Sequence, residues 1–463
     1  MSGSPIRRLA LAALALAGAL PAAAAPAPGP PTAFALDHVS VIDVRTGAID
    51  ADRVVVVGAG HITAIAAAGA ASPPPGALLL DAHGKFLIPG LWDMHVHVHA
   101  APFLQLLLAE GITGVREMGG DPQTIGDWRA RIDAGRMLGP RIIMAGLILD
   151  GPSPIWPAIS RSVRTPADGH AAVVRAKREG SDFIKVYNGL SRDAYLAIVD
   201  EAKKQGMVVA GHVPLSITAA EASAAGQKSI EHLLGVLEGC TSDPHPAAMT
   251  RDHAWYLEHY DPALAESLAA TFARNGTWQV PTLVVKRAFA TIHELAASDD
   301  PRLRYIPDLL SARWDPSRDF RMAGRGPAGF ADLRRVYDKD RELVGVLARA
   351  HVRILAGTDL GNPYIFPGFS LHDELQLLVG AGLTPLEALR AATLGPAEYL
   401  GATDSLGTVE PGKVADLVLL DANPLADITN VARISAVCAR GALLGRASLD
   451  KLLADVAAEA RSR

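Results

Sequence analysis

Hydrophobic and polar positions follow one pattern at the two ends of the chain and another in its middle. Short apolar runs with strand-like alternation, separated by Gly, Asp and Pro turns, fill residues 34–80 and return at residues 407–420 and 434–444. We interpret these runs as strands. Two β-rich ends around a long middle predict one small β-sandwich domain, built jointly from residues 34–88 and 405–445.

The middle of the chain, residues 89–404, alternates apolar strand runs with amphipathic helical runs. Eight strands are predicted, at residues 91–98, 112–118, 141–148, 183–187, 208–213, 229–233, 278–285 and 353–359. Eight βα units imply an α/β fold closed into a (β/α)8 TIM barrel, with its chemistry at the C-terminal strand ends. Residues 286–349 are too long for a βα connection, so we expect a helical insertion over the barrel mouth or at a subunit contact. Residues 446–463 are expected to form a C-terminal helix.

Composition and charge narrow the classes of function. A chain of 463 residues is long enough for one barrel-sized domain and a smaller companion. Its apolar residues come in short runs, so no membrane-spanning helix is expected in the mature protein. The formal net charge of -5 comes without a basic run, which argues against nucleic acid as a partner. We expect a small-molecule substrate as the partner, and a homo-oligomer stays open.

The N-terminus is typical of an exported protein. Arg7 and Arg8 precede an apolar stretch from residue 9 to residue 20, and small residues follow, so residues 1–25 are predicted to be a cleaved signal peptide. The mature protein is expected to be periplasmic or secreted, by the general or the twin-arginine route. The two cysteines of the chain lie far apart in sequence, which favours two buried free thiols over a disulfide.

The first candidate chemistry is a histidine pair at the start of the predicted barrel. His95 and His97 are separated by one residue on a strand, so alternation puts both imidazoles on the inward face. Val96 and Val98 then face the helices. Two imidazoles on the same face of a strand are typical of a pair of metal ligands. Two histidines at this spacing also occur in protein cores, where hydrogen bonds satisfy both rings.

Further polar residues at the strand ends favour metal binding. Lys185 shares the inward face of its strand with Phe183 and Tyr187, and an unpaired ammonium inside a barrel is costly to desolvate. It needs a carboxylate partner, a Schiff-base role, or conversion by CO2 into a carbamate that bridges two cations. Three other candidates each end a different predicted strand: His212, His232 and Asp359. Convergence of this kind predicts a metal site.

The motifs that carry these residues resemble those of the amidohydrolase superfamily. PGLWDMHVHV is similar to its Pro-Gly-Leu-x-Asp-x-His-x-His opening motif, and GVREMGG, FIKVY, AGHV, IEHL and LAGTD match successive blocks. TPLEALRAATLGPAEYLG and GTVEPGKVADLVLLD are similar to its closing helix and returning β-domain, so the likeness covers residues 34–445. The chain most resembles exported imidazolonepropionase-like and prolidase-like members, which cleave dipeptides or N-acyl amino acids.

This resemblance implies a binuclear metal-dependent hydrolase that cleaves an amide C–N bond by attack of a metal-bound hydroxide. Two divalent ions, expected to be Zn2+, are implied together with a carbamate on Lys185. The implied ligands of one ion are His95, His97, carboxylated Lys185 and Asp359, and those of the other are Lys185, His212 and His232. Asp359 is the expected general base. Tyr187 is expected to hydrogen-bond the substrate or, alternatively, to pack under the substrate loops.

The sequence specifies the substrate less closely than it specifies the candidate metal ligands. Prolidase-like relatives often carry a Gly-Gly-His segment after the third strand, whereas residues 146–156 read GLILDGPSPIW, which argues against a strict carboxypeptidase specificity. We expect an amide with a free carboxylate on its leaving side. The loops offer Trp156 and four arginines as contacts: Arg313, Arg318, Arg321 and Arg325. The arginines could instead pair with Asp315 and Asp319 on a solvated helix.

Other functions fit parts of the same pattern. A lactonase or phosphotriesterase shares the whole ligand set, and an imidazolonepropionase-like enzyme would open a cyclic amide. A deaminase on this barrel usually lacks the strand lysine, so Lys185 argues against it. A metal-free binding protein is not expected to retain all six ligands.

Overall fold

The computed structural model describes residues 33–71, 73–242, 253–319, 321–322 and 325–462. The expected signal peptide lies outside these residues. Among the described helices, none is long and apolar enough to cross a membrane.

Strands occupy both ends of the chain and alternate with helices between them. The strands are β1 (Phe34–Ile42), β2 (Ile49–Gly58), β3 (His61–Ala67), β4 (Leu78–Asp81), β5 (Phe86–Pro89), β6 (Leu91–Val96), β7 (Ile112–Glu117), β8 (Arg141–Met144), β9 (Ile148–Asp150), β10 (Ser160–Ser162), β11 (Ile184–Val186), β12 (Val209–Gly211), β13 (Ser229–Glu231), β14 (Trp278–Val280), β15 (Leu417–Leu420), β16 (Ile434–Ala439) and β17 (Ala442–Gly445).

The helices follow the same chain order. They are α1 (Ala101–Ala109), α2 (Pro122–Asp133), α3 (Pro166–Arg178), α4 (Arg192–Lys204), α5 (Ala219–Ala225), α6 (His253–Glu258), α7 (Pro262–Asn275), α8 (Leu283–Ala290), α9 (Ile292–Ala296), α10 (Asp308–Ser311), α11 (Pro327–Arg349), α12 (Phe369–Gly380), α13 (Pro385–Ala391), α14 (Leu394–Leu400) and α15 (Arg446–Arg461). Short 3-10 helices lie at Pro157–Ile159, Glu238–Cys240, Pro301–Tyr305 and Ile428–Ala432.

The two β-rich ends of the chain meet in one eight-stranded sheet. Its order is β17-β16-β15-β5-β1-β2-β3, with β4 paired to β1. The two ends join where β15 runs antiparallel to β5, with Leu417 opposite Pro89. Alternate residues of the strands, such as Leu36, Val55 and Leu417, enter one apolar cluster because successive side chains point to opposite faces.

The middle of the chain builds a curled parallel sheet. Strands β6, β7 and β8 pair with one another, and the other group follows the order β10-β9-β11-β12-β13-β14. Single parallel bridges join Gln279 of β14 to Ile354, and Leu360 to Val96 of β6. The fold is therefore of mixed α/β type, and its parallel strands bring their C-terminal ends to one rim.

Helix α4 illustrates how the sequence sets the helices around this sheet. The Ser191 side chain caps its first turn by accepting the N–H of Ala194 at 3.3 Å. The fully buried side chains of Tyr195 and Ile198 lie one turn apart and form part of its apolar face. Gly206 follows the helix at a φ of 68°, a left-handed conformation that glycine adopts without steric cost.

The seventh predicted strand, residues 278–285, is wrong beyond Val280. Pro281 has no N–H to donate to a sheet ladder, and Thr282 adopts a φ of 48° that turns the chain. Helix α8 begins at the next residue. Its first two backbone N–H groups donate to the two oxygens of the buried Glu374 carboxyl, at 3.0 and 2.7 Å.

The eighth predicted strand, residues 353–359, forms single bridges instead of a continuous strand. The backbone N–H of Thr358 donates to the Asp93 carboxyl at 3.0 Å, and the Thr358 hydroxyl donates to it at 2.6 Å. Asp359 follows with a φ of 60°. A side chain therefore takes a hydrogen bond that a regular strand would give to its neighbour.

Residues 286–349 include helices α9, α10 and α11 and most of α8. Helix α11 buries Val336, Leu343 and Leu347 along one face. A salt bridge of 2.7 Å between Lys286 and Asp340 ties α8 to α11. The segment therefore forms a helical layer that is braced internally.

Candidate metal centre and active site

Four imidazoles, one carboxylate and one amine meet at the C-terminal rim of the parallel strands. They are His95 in β6, His97 just after it, Lys185 in β11, His212 after β12, His232 after β13, and Asp359 after the bridge at Ile354. The closest pair of imidazole rings, those of His95 and His232, has centroids 4.4 Å apart. The structure thus brings all six sequence-predicted ligands into one site.

Close packing in strand β12 supports this convergence. Gly211 has a φ of 131°, and a Cβ built on it would lie 2.3 Å from the Val186 carbonyl oxygen and 3.0 Å from Lys185 Cδ. Only glycine allows the two strands to approach so closely. The Gly-His pair of AGHV therefore places His212 beside the strand that carries Lys185.

Asp359 lies at the centre of the cluster. Its Oδ1 atom is 3.4 Å from His95 Nε2 and 3.6 Å from His97 Nε2, and its Oδ2 atom is 3.9 Å from His232 Nδ1. Burial raises the pKa of the Asp359 carboxyl to about 6, so most of it is ionised at neutral pH.

Each histidine of the site is hydrogen-bonded through Nδ1. The contacts are His95 to Glu231 Oε2 at 2.7 Å, His97 to the Gly119 carbonyl oxygen at 2.8 Å, His212 to Asn188 Oδ1 at 2.9 Å, and His232 to Thr282 Oγ1 at 2.7 Å. A carbonyl oxygen only accepts, so we assign the proton of neutral His97 to Nδ1, which leaves Nε2 as a lone pair. Burial lowers the pKa of His97 to about 3 and that of His95 well below its ordinary value, so both rings are neutral.

Lys185 is the least satisfied polar residue of the cluster. Its side chain is 1% exposed, and its Nζ atom has no hydrogen-bond partner among the residues that the structure describes. Burial lowers the pKa of its amine to about 8, partly offset by the charges of Glu231 and Asp359. The unprotonated amine, the form that can react with CO2, is therefore much more accessible near neutral pH than in an exposed lysine.

These donors fit divalent cations. His95 Nε2 is buried without a hydrogen-bond partner among the described residues, and it faces the Asp359 carboxylate, another acceptor. Ligand atoms of His95, His232 and Asp359 lie within 4.8 Å of one another. Neutral imidazoles and a carboxylate are ordinary ligands of zinc, and a cation between them removes the repulsion of facing lone pairs.

Sequence reasoning missed the residues that support the ligands. Glu231 contacts His95, Thr282 contacts His232, and Asp93 holds the turn before Asp359 through Thr358. The sequence could have identified two of these supporting residues, because Glu231 directly precedes His232 and Asp93 lies two positions before His95. A carboxylate next to a predicted ligand is a candidate for outer support of a metal site.

A cavity of about 450 Å³ opens directly above the cluster. Its walls are largely apolar and aromatic, with contributions from Ile148, Trp156, Phe289, Met322, Val336 and Tyr337. The last four of these residues belong to residues 286–349, so this segment covers the site. The cavity can therefore enclose an apolar group next to the candidate metal ligands.

Tyr187 stands between the ligands and the cavity wall. Its ring stacks on His212 with the centroids 4.0 Å apart. Its hydroxyl oxygen accepts the Trp156 Nε1–H at 3.0 Å and lines the cavity. Both sequence-based roles for Tyr187, substrate contact and packing, are compatible with this position.

Two of the four candidate arginines lie away from the cavity. Within the described residues, Arg313 and Arg318 are outside its lining. Arg318 is exposed and lies 3.6 Å from Asp315, the pairing that the alternative interpretation expects. These two arginines therefore do not reach a substrate in this arrangement.

The other two candidates, Arg321 and Arg325, line the cavity. Arg321 donates from two of its nitrogens to the Asp319 carboxylate, so its charge is balanced. Arg325 donates from Nε to the Arg321 carbonyl oxygen, which leaves its positive charge without compensation from this contact.

Comparison with known proteins identifies the family to which the sequence of this site belongs. The family model described as "Amidohydrolase family" matches residues 86–444. An adenine deaminase from Nitratidesulfovibrio vulgaris is 26% identical over 381 residues, which cover 79% of this chain and 51% of the deaminase. The chain thus spans about half the length of that curated relative.

Two solved structures match over nearly the whole chain. The bottromycin amidohydrolase is 27% identical with a TM-score of 0.77, covering 93% of this chain and 91% of its own. A proposed prolidase from Bifidobacterium longum is 26% identical with a TM-score of 0.69, covering 92% of this chain and 100% of its own. The chain is similar to both in fold and in sequence.

Proposed function

This chain belongs to the amidohydrolase family, and we propose that it is a binuclear metal-dependent hydrolase that cleaves the C–N bond of a dipeptide or an N-acyl amino acid. One observation carries the proposal: the four site histidines are hydrogen-bonded through Nδ1, the Nε2 atoms of His95 and His97 lie 3.4 and 3.6 Å from Asp359 Oδ1, and the buried Lys185 amine has no hydrogen-bond partner among the described residues. Such a set of lone pairs is suited to binding cations.

The ligand roles follow the sequence-based expectation. One cation is assigned to His95, His97, carboxylated Lys185 and Asp359, and the other to Lys185, His212 and His232. Bound divalent cations lower the pKa of a coordinated water and polarise the scissile carbonyl. The unprotonated Lys185 amine would form its carbamate by attacking the carbon of CO2 and losing a proton, so that a neutral amine becomes an anion that could help to hold the cations.

Proton transfer is assigned to Asp359. Its carboxylate is ionised at neutral pH, lies among the ligands and faces the cavity, so it is placed to accept the proton of the attacking water. It then returns this proton to the leaving amine nitrogen. Tyr187 is assigned a hydrogen bond from its hydroxyl to the oxyanion of the tetrahedral intermediate.

The cavity supports a substrate with an apolar acyl group and an anionic leaving side. Its wall is mostly apolar, and residues 286–349 contribute three positively charged side chains to it: Lys286, Arg321 and Arg325. Asp340 balances Lys286 and Asp319 balances Arg321. We therefore assign the substrate carboxylate to Arg325.

A matched substrate series tests this function. The values of kcat/KM are measured for an N-acyl amino acid with an aromatic acyl group, for its C-terminal amide and for a simple lactone. The acid should exceed its amide by about 10–150-fold, as a hydrogen bond to a charged group predicts. Arg325→Met should remove that difference, while the matched variant Arg318→Met should retain it. Turnover of the lactone or the amide at or above the rate of the acid would overturn the carboxylate assignment and favour an esterase.

We also propose that the curled sheet closes into the eight-stranded (β/α)8 barrel expected from the sequence. A backbone hydrogen bond from Asp182 to Met144 joins the ends of β11 and β8, and bridges at Ile354 and Leu360 lead from β14 to β6. These contacts are the ones that closure requires between strand groups.

The proposed domain division follows the same boundaries as the sequence-based prediction. We assign residues 89–404 to the barrel with the insertion 286–349, and we propose that the one eight-stranded sheet shared by residues 34–88 and 405–445 folds into the composite β-sandwich. Export through residues 1–25 places the mature protein in the periplasm or outside the cell. A shift in N-terminal residue between the cell-associated precursor and the exported form, read by mass spectrometry, tests the export step.

A further inference from the structure

We propose that Glu231, fixed by Arg116, positions His95 for metal binding and makes the cation at His95 the more tightly held of the two. The inference rests on the proposed binuclear site. It concerns a carboxylate outside the cavity lining that acts through the imidazole beside it.

Glu231 and His95 form a pair with no exposure to solvent. His95 Nδ1 lies 2.7 Å from Glu231 Oε2, and both side chains are 0% exposed. Arg116 donates from one terminal nitrogen to both oxygens of Glu231, at 2.8 and 2.9 Å. The Ser229 hydroxyl donates to the Oε1 atom of the same carboxylate at 2.6 Å.

Arg116 cannot turn away from this pair without losing other hydrogen bonds. Its Nε donates to the Met94 carbonyl oxygen at 2.7 Å, and its second terminal nitrogen donates to Ser229 Oγ and Tyr399 Oη, both at 2.9 Å. Together with the two contacts to Glu231, these involve all three nitrogens of the guanidinium. Glu231 is thus held in one orientation by a cation that is itself held from three other sides.

The hydrogen bonds of Glu231 decide where the proton of His95 resides. Both of its oxygens, including the Oε2 atom that faces His95, already accept from the Arg116 guanidinium, so Glu231 acts as an acceptor in this network. The proton of neutral His95 must therefore lie on Nδ1, and Nε2 presents its lone pair to the metal site. A carboxylate behind an imidazole also makes the ring a stronger metal ligand.

The other three imidazoles have weaker support at the same atom. Their Nδ1 atoms bond to neutral oxygens: His97 to the Gly119 carbonyl, His212 to the Asn188 amide and His232 to the Thr282 hydroxyl. Among these Nδ1 contacts between described residues, the one at His95 is the one made to a carboxylate. The two proposed metal positions are therefore unequal, and Glu231 is the cause.

Zinc binding at equilibrium tests this inference without using activity. The full-length protein is held at a series of chelator-buffered free zinc concentrations, and bound zinc per chain is measured. Wild type should fill in two separated steps. Glu231→Gln should weaken the tighter step about 10–100-fold, the usual effect of removing an outer partner of a ligand, and leave the weaker step in place. Tyr399→Phe, which removes a neutral contact from the same buried network, should leave both steps within a few-fold of wild type.

A second variant covers the case in which Glu231→Gln leaves Arg116 unpaired and fails to fold. Arg116→Met combined with Glu231→Gln removes both buried charges, and the same loss in the tighter step is expected. An unchanged tighter step in either folded variant overturns the role of Glu231. A single zinc step in wild type would instead contradict the binuclear site, and its response to Glu231→Gln would still decide whether the carboxylate supports His95.

Discussion

Replacing Tyr187 by Phe separates a role in the reaction from a role in packing. The Tyr187 hydroxyl oxygen accepts the Trp156 indole N–H at 3.0 Å, so its own O–H is left to donate into the cavity. Burial raises the pKa of this hydroxyl to about 12, so it keeps its proton at neutral pH. The stacking on His212 at 4.0 Å involves the ring alone, and Phe preserves it.

The two roles of the Tyr187 hydroxyl predict different losses of kcat in Tyr187→Phe. A donor to the developing oxyanion is worth about 2.7–4 kcal/mol, so Tyr187→Phe should lower kcat about 10²–10³-fold without changing metal content or melting temperature. A neutral hydrogen bond that serves packing is worth about 1 kcal/mol, or about fivefold. The assay is steady-state turnover of the best N-acyl amino acid, with Trp156→Phe as the control that removes the indole donor and retains an aromatic wall. A Tyr187→Phe enzyme within about fivefold of wild type refutes the oxyanion role.

Three further predictions concern the site and its support. Lys185→Ala should abolish activity and regain part of it with acetate or propionate, which can replace the carbamate; full activity without added acid would remove Lys185 from the site. Asp359→Asn should retain most of the metal but lose about 10²–10⁴-fold in kcat. Its plot of kcat against pH should also lack the decrease at low pH, called the acidic limb, that wild type shows. That limb arises because burial raises the pKa of the Asp359 carboxyl to about 6 and protonation removes the base as pH falls; bound cations shift the limb to lower pH. Gly211→Ala should lose about 2–6 kcal/mol of unfolding free energy, the sum of overpacking and a strained φ. In denaturant titrations Gly276→Ala, at a φ of 67° in open space, should lose less, and equal losses would contradict the clash with β11.

The convergence of the candidate ligands could be predicted from the sequence because each of them obeys a local rule. His95 and His97 share a face through strand alternation, and His212, His232 and Asp359 each end an apolar run. These rules depend on neighbouring residues only. The composite sheet was predictable for the same reason, since the apolar runs at both ends of the chain alternate like strands.

The support of the ligands depends on distant residues, which no local rule specifies. Glu231 meets His95 across 136 positions, and Arg116 meets Tyr399 across 283. Nothing in the sequence around Arg116 identifies Glu231 as its partner. The turn at Thr282 was also missed, because residues 278–285 are apolar enough to resemble a strand while Pro281 and a distant carboxylate end it.

A crystal structure of the metal-loaded protein, with anomalous scattering recorded at the zinc edge, tests the central claim most directly. The account predicts two anomalous peaks within the cluster of His95, His97, His212, His232 and Asp359, joined by carbamate density that extends from Lys185 Nζ. A single peak beside an unmodified Lys185, in protein that retains full activity after the crystals are dissolved, would contradict it.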